Sequence, residues 1–432
     1  MARPKIIAGI DVGSAKVATV IGSVEEEEEK KIKIIGASSL PSKGIRKGQI
    51  VNIEEAAKAV VESVEAAERM AGYSLTRAVV AISGPHLASQ NSRGVVAVAE
   101  PEGEINDDDV RRVIEAARAV SLPASREVIH VIPRYFTVDG QEGIKDPVGM
   151  SGVRLEVETH IITGSSTAMR NLTKCVSEVG ADVQSLVASG LASAEATLTE
   201  TEKELGVILV DIGGGVTDLV VFIEGSPSYT TVLPIGANNV TNDIAIGLRL
   251  SLESAEKIKI AFSEMALPKS KKKEEEKEKE DEDEVDLKEI GIIEEVKKVS
   301  RKTLTEGIIR PRLNEIMTMV GLELKKSGAI GLTPAGLVIT GGGALTVGVK
   351  DAAKRNLAMP VRIGEPQGIS GLADEVNKPD FATAVGLLHH GTKSEVRGIS
   401  DFSLLKIGKK LEKVPLRGAI GKAVNLVKQF LP

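Results

Sequence analysis

The strongest constraint on the fold is a pattern that the chain contains twice. Residues 206–222 read GVILVDIGGGVTDLVVF: an apolar run ends in Asp211, meets three glycines, returns through Asp218 and becomes apolar again. Residues 5–22, KIIAGIDVGSAKVATVIG, keep the same order around Asp11. Each copy predicts a strand, a tight glycine turn and an antiparallel returning strand. A repeat separated by about half the chain predicts two related halves.

Carboxylates beside glycines suggest phosphate and metal binding. Without a Cβ in the way, backbone N–H groups approach phosphate oxygens closely. An Asp at a strand end can hold hydrated Mg²⁺, which prefers carboxylates, retained waters and phosphate oxygens. The doubled pattern at Asp11 and Asp211 predicts two hairpins that clamp one polyphosphate from opposite sides. A third glycine cluster, GGGALT (341–346), follows the strand-like GLVIT. It lacks the G-x-G-x-x-G spacing of a dinucleotide fold, and the chain has no Walker-type P-loop.

Between these clusters, strand and helix signals alternate. IEEAAKAVVESVEAAERM has helical periodicity, and AVVAIS (78–83) reads as a strand. DDDVRRVIEAARAV (107–120) opens with three Asp residues that suit a helix N-terminus. EVIHVIPRYFTVDG and VRLEVETHIITG read as strands, STAMRNLTKCVSEVG as a helix, and 189–201 as another. This order indicates α/β layers. Two charge runs read as loops: Glu25–Glu29 with Lys30 and Lys31, and 269–286, whose composition buries too little to order itself.

Composition narrows the function. The 432 residues suffice for two or more domains, and 42% are hydrophobic. Aromatics make up only 2%, with no Trp, and the net charge is −6, so nucleic acid is not expected as a partner. Cys175 is the sole cysteine, which leaves no internal disulfide and no cysteine zinc site and fits a reducing, cytoplasmic compartment. No apolar run is long enough for a signal sequence or a membrane span. His389 and His390, adjacent on one helix, point apart; His86, His130 and His160 are scattered and read as structural.

The trio DVGSAK, DIGGGVTD and ITGGGA resembles the phosphate-1, phosphate-2 and adenosine motifs of the actin, Hsp70 and sugar-kinase superfamily. That resemblance implies an α/β actin-like ATPase fold of two duplicated halves with a nucleotide cleft between them, and ATP and Mg²⁺ as cofactors. Gly13, Ser14, Ala15 and Lys16 would line phosphate-1; Gly213, Gly214 and Gly215 phosphate-2; Gly341, Gly342, Gly343 and Ala344 the adenosine side. Asp11 and Asp211 would organise Mg²⁺ through water and take part in any hydrolysis, and Lys16 would neutralise phosphate charge. Glu256, Lys259 and Ser263 have the E-x-x-K-x-x-x-S spacing with which superfamily chaperones line the adenine and ribose pocket. At three, four and seven residues apart they share a helix face. Those chaperones also place a Glu before phosphate-2. Here Ser189 and Gly190 stand at that place and Glu195 lies further along, which implies ATP binding with weak hydrolysis.

Within the superfamily, AISGPHLASQNSRGVVAV together with residues 126–164 resembles the extra subdomain 1C of the bacterial division protein family FtsA. The family pattern implies subdomain 1A over 1–84 and 163–199, with 373–392 returning to it, and 1C over 85–162. It implies 2A over 200–236 and 324–372, and 2B over 237–323 around a disordered charged loop, 269–286. A basic linker, 393–415, would lead to an amphipathic membrane-targeting helix, 416–432. The resemblance also implies polymerisation into actin-like filaments, binding of the acidic FtsZ tail at subdomain 2B, and contact with later division proteins through 1C. For the FtsZ tail the candidates are Arg301 first, then Arg310 and Arg312.

On a helical wheel Leu416, Ile420, Ala423, Val424, Val427, Phe430 and Leu431 share one side, and Arg417, Lys422, Asn425, Lys428 and Gln429 the other. Such a helix suits an anionic membrane surface or a protein partner. The family resemblance favours the membrane, which would place the protein on the cytoplasmic face of the cell membrane at the division site. Gly418 and Gly421 lower helix propensity, so folding upon binding is expected. Competing classes on the same fold are a sugar or metabolite kinase, a pilus-assembly adaptor and an Hsp70-like chaperone. A kinase would need an Asp base beside a substrate pocket, for which the sequence offers no convincing residue. A chaperone would need a substrate domain, and roughly 40 residues after Gly391 are too few for one.

Overall fold

The computed structural model describes residues 5–24, 31–99, 103–265, 283–292 and 298–396. In the first half, Lys5–Val12, Lys16–Val24 and Ile32–Pro41 form an antiparallel meander. Arg77–Ile82 then adds parallel to the free side of Lys5–Val12, and Asp182–Ala188 adds beyond it. The second half repeats this order. Val207–Ile212, Thr217–Ile223 and Ser226–Leu233 form the meander, and Leu337–Thr340 and Val361–Ile363 add in parallel on the free side of its first strand. The repeat read from sequence is therefore a repeat of topology.

Each sheet buries apolar runs on both faces, as parallel strands covered by helices require. In the second half Ile208, Val210, Ile212 and Leu219 join Ile316, Met317 and Val320 of helix Arg310–Ser327 in one core. Over the first sheet lies helix Ile53–Ala71, which buries Ala56, Val60, Val64 and Ala67. Asn52 caps it by accepting from the N–H groups of Glu54 and Glu55, and Gly72 ends it with a left-handed backbone.

Helix Ala382–Val396 closes the first half from the far end of the chain. It lies on strand Lys5–Val12, where a side chain at Gly9 would come within 2.7 Å of the Ala384 carbonyl. It crosses helix Ser189–Thr197 so closely that a Cβ on Gly386 would sit 1.7 Å from the Ala192 carbonyl oxygen. Strand Ile369–Gly371 meanwhile completes the first sheet beside Ile32–Pro41.

A separate four-stranded sheet, in the order Ala88–Ala97, Arg154–Ser165, Arg126–Val138, Gln141–Ile144, is inserted into the first half. Helix Asp107–Arg118 covers it with Val113 and Ala117 against Phe136, Leu155 and Val157. The three acidic residues begin this helix as expected, behind an Asn106 cap that is reciprocated by Asp109.

Two sequence expectations change. The helix expected over 189–201 is two helices, Ser189–Thr197 and Glu200–Leu205, because Thr199 and Glu202 form a capping box that starts a new one. The charged loop expected over 269–286 ends in structure: Glu284–Asp286 is a short strand paired with Lys298–Ser300. Val285 and Leu287 supply the burial, 5% and 0% exposed, which a reading of the charge run overlooks. Residues 269–282, the Glu25–Glu29 run, and the tail from 397, which includes 416–432, lie outside the described residues.

Candidate functional site

Both hairpins close with the same turn. The N–H of Gly13 donates to the Lys16 carbonyl at 3.0 Å, and that of Gly213 to the Val216 carbonyl at 2.9 Å. In register, Asp11 faces Ala18 on its partner strand and Asp211 faces Asp218. The two turns meet tip to tip: a Cβ on Gly214 would lie 2.6 Å from the Ala15 Cβ, and one on Gly215 2.8 Å from Ser14 Oγ. The glycines of the second turn are thus needed by the first. Ser14 Oγ also accepts from the Gly48 N–H at 2.8 Å, which fixes the tip of the first turn.

The third glycine cluster joins them. Gly341 has φ 83°, and any Cβ there would fall 2.1 Å from Asp211 Oδ1. Gly343 packs on Ile212 in the same way, and Ala344 is buried in the second core, while Gly342 faces Asp380 with room to spare. The residues expected to line a phosphate site at 13–16, 213–215 and 341–344 therefore converge.

Three carboxylates share this place. Burial, and then the neighbouring Asp211, raise the Asp11 carboxyl to about 7, although Lys16 opposes the shift. Asp11 keeps some opening to solvent. Burial also raises Asp211, against hydrogen bonds donated by Ser193 and by Thr383 Oγ1, the latter at 3.1 Å. Asp218 is raised well above the ordinary range by burial and by Asp211, while Ser83 Oγ donates to both of its oxygens at 2.8 Å. The cleft holds a surplus of buried negative charge, a setting that a divalent cation would relieve. Among the described residues, no three His, Cys, Asp or Glu side chains form a direct metal shell. The donor set suits Mg²⁺ held through retained waters and phosphate oxygens.

Lys16 Nζ donates to Asp380 Oδ2 at 2.7 Å and lies 4.2 Å from the centre of the Phe381 ring. Gly190, one of the two residues at the place of the chaperone Glu, packs against Asp218 and Val220, where a Cβ would meet Val220 at 2.7 Å. The other, Ser189, is buried, so neither residue brings a carboxylate to that place.

Glu256 and Lys259 form an ion pair at 2.7 Å on helix Leu252–Met265. The Lys259 ammonium is buried and also donates to Thr241 Oγ1 at 2.9 Å and to the Ala237 carbonyl at 3.4 Å, so Glu256 is the more open member. Ser263 donates to its own helix at Lys259 and accepts from the Val347 N–H at 3.1 Å, which ties this helix to the end of the third glycine cluster. Arg310 pairs with Glu306, and Arg312 with Asp243 and Glu315. Arg301 is exposed and makes no ion pair among the described residues.

Sequence reasoning missed Ser83, Ser193, Asp380 and Thr383, and gave Asp218 no role. Asp218 stands inside the quoted DIGGGVTD, one strand position across from Asp211, and that register was the available signal. The others carry no local pattern.

Two duplicated halves with three glycine turns meeting at buried carboxylates define a protein of the actin-like ATPase fold. MreB5 of Spiroplasma citri bound to AMPPNP superposes with a TM-score of 0.53 at 13% identity, covering 91% of this chain and 99% of that one. A PilM–PilN type IV pilus biogenesis complex chain gives 0.60 at 17% identity, covering 89% and 98%. The model described as "SHS2 domain inserted in FTSA" matches residues 84–163, and that of "Cell division protein FtsA" matches 208–386. The chain is 40% identical over 396 residues to cell division protein FtsA of Pseudomonas aeruginosa, covering 92% of this chain and 91% of the relative. To FtsA of Borreliella burgdorferi it is 42% identical over 383 residues, covering 89% and 90%, and to that of Escherichia coli K12 37% over 401, covering 91% and 92%. The chain belongs to the FtsA family.

Proposed function

We propose that the protein is an ATP-binding, actin-like cell division protein that polymerises at the cytoplasmic face of the membrane and tethers FtsZ filaments there. The observation that carries the nucleotide part is the meeting of both Asp-bearing turns with the Gly341–Ala344 cluster around one surplus of buried negative charge. Asp11 and Asp211 would hold Mg²⁺ through water, and residues 13–16 and 213–215 would bind phosphate. Glu256, Lys259 and Ser263 would face the adenosine. Hydrolysis is expected to be slow, because neither Ser189 nor Gly190 supplies a carboxylate at the position of the chaperone Glu. A division into four subdomains, with 1C as the site for later division proteins, is proposed from the family pattern, and the two repeated sheets and the inserted one are consistent with it.

Family membership and the basic, apolar pattern of 416–432 support the membrane role, and among the described residues no helix is long and apolar enough to cross a bilayer. Arg301 is the leading contact for an acidic FtsZ tail, since Arg310 and Arg312 already have acidic partners.

Liposome co-sedimentation of the full chain and of a version ending at Thr392 tests the assignment, with calorimetry against ATP and an FtsZ tail peptide. The full chain alone should sediment with anionic vesicles, and both versions should bind ATP and the peptide. Equal lipid binding by the two would end the anchoring role, absence of heat with ATP the nucleotide role, and absence of peptide binding the tether.

A further inference from the structure

The turn Pro379–Thr383 touches all three glycine motifs. The Pro379 carbonyl accepts from the Gly341 N–H at 3.0 Å and from Thr340 Oγ1 at 3.3 Å. Thr383 Oγ1 donates to Asp211 in the second hairpin. Asp380 and Phe381 take Lys16 of the first hairpin, one by ion pairing and the other by its ring face. The turn therefore stays anchored when Lys16 moves, because the Pro379 and Thr383 bonds do not involve it.

Asp380 is unevenly satisfied. Its Oδ2 accepts from Lys16, whereas its Oδ1 is buried and has no hydrogen-bond partner. A carboxylate offers about four acceptor positions. Lys16 thus supplies most of what holds this charge, and the pair is only about one-quarter exposed, at 23% for each side chain. Lys16 is also the cation that lowers the protonation tendency of both Asp11 and Asp211. One ammonium consequently serves three carboxylates, and incoming phosphate would add a fourth claimant.

We propose that Asp380 is a positioning residue that holds Lys16 and competes with nucleotide phosphates for it. Resting on the nucleotide reading above, this makes Asp380 a determinant of how strongly the site separates phosphate-rich from phosphate-poor adenine nucleotides. A triphosphate must draw Lys16 off Asp380 and then lie beside an unpaired carboxylate. A nucleotide too short to reach Lys16 leaves the pair intact.

The test is titration of AMPPNP, ADP and AMP, with and without Mg²⁺, into the full chain as wild type, Asp380→Asn, Asp380→Glu, Lys16→Gln and the double variant Lys16→Gln/Asp380→Asn. Asp380→Asn should tighten AMPPNP roughly three- to tenfold, the effect of removing one partly buried competing charge, and leave AMP unchanged. Asp380→Glu should stay near wild type. Lys16→Gln should weaken AMPPNP and erase the gain in the double variant. Asp380→Ala replaces the amide variant, with the same outcomes, if thermal unfolding shows the latter misfolded.

An equal gain for AMP, or a gain that survives Lys16→Gln, overturns the proposal. So does weakening confined to Mg²⁺-bound nucleotide, which would make Asp380 a holder of the metal's waters. If the wild type binds none of the three nucleotides, the nucleotide reading itself falls and takes this proposal with it. Binding with an unchanged AMPPNP-to-AMP ratio removes only the role of Asp380.

Discussion

Asp11 carries a charge conflict that pH should expose. Its carboxyl is raised to about 7 by burial and by Asp211, whereas an unfolded chain titrates it near its ordinary value of about 4. The native state therefore holds a proton that the unfolded state has lost between those values. Its stabilising contribution is present below about pH 4 and fades as pH rises through about 7. In nucleotide-free protein, thermal unfolding should show stability lost from this site between pH 5 and 8. Asp11→Asn should flatten that slope and gain on the order of 1 to 2 kcal/mol at pH 8 relative to wild type. Mg²⁺–ATP would place positive charge beside the same carboxyl, so the wild-type slope should also flatten when ligand is added. A wild-type slope that Asn leaves unchanged would place the titration elsewhere.

At the scale of elements, the glycine turns do more than receive a ligand. Gly341 meets two demands at once: a left-handed backbone and a carboxylate oxygen where its side chain would begin. Gly341→Ala should cost about 2 to 4 kcal/mol from strain and the clash with Asp211, read as a lower Tm, with nucleotide binding lost in parallel. A Tm within a degree of wild type would mean that Asp211 moves aside freely. The hairpins were legible because apolar run, Asp, Gly and apolar run state strand, turn and strand locally, and the duplication added weight. The turn Pro379–Thr383 was not legible. Its partners Lys16 and Asp211 stand 364 and 172 positions away from Asp380 and Thr383, and no spacing rule announces such contacts. Ser193 was hidden for the same reason: it lies in a small-residue helix whose pattern says only that it is buried. The strand at Glu284–Asp286 was masked by its charged neighbours, since one buried Val among acids does not register as periodicity.

Across the whole molecule, a polar seam joins the inserted sheet to strand Ser226–Leu233 of the second half. His160 is hydrogen-bonded through Nδ1 to Asn91 at 2.7 Å and through Nε2 to Thr230 Oγ1 at 2.9 Å. Ser89 Oγ donates to the Thr230 carbonyl at 2.7 Å and accepts from its N–H at 3.0 Å. Burial first, then Arg134 and His130, lower the His160 imidazole to about 3. Here the sign is opposite to Asp11: the unfolded chain takes up the proton first, so stability falls as pH drops below about 6.5. Hydrogen exchange of strand Ser226–Leu233 should speed up on going from pH 7 to pH 5 after correction for intrinsic rates, and His160→Gln should remove that pH dependence. Equal protection at both values would mean that the seam holds without the neutral ring. Ser83, just before the insert, donates to Asp218 in the cleft, and Thr230 of the seam lies on the strand next to that of Asp218.

The re-entry of residues 369–396 into the first half bears on synthesis at the ribosome. A nascent chain makes strand Lys5–Val12 first, yet the helix that covers Gly9 and the strand that borders Ile32–Pro41 follow it only after more than about 350 residues. Until then the N-terminal sheet has a bare face and an open edge, both invitations to mispairing. The cleft can take shape only after translation has passed Val396, so a ligand can act as a folding aid only from that point onward.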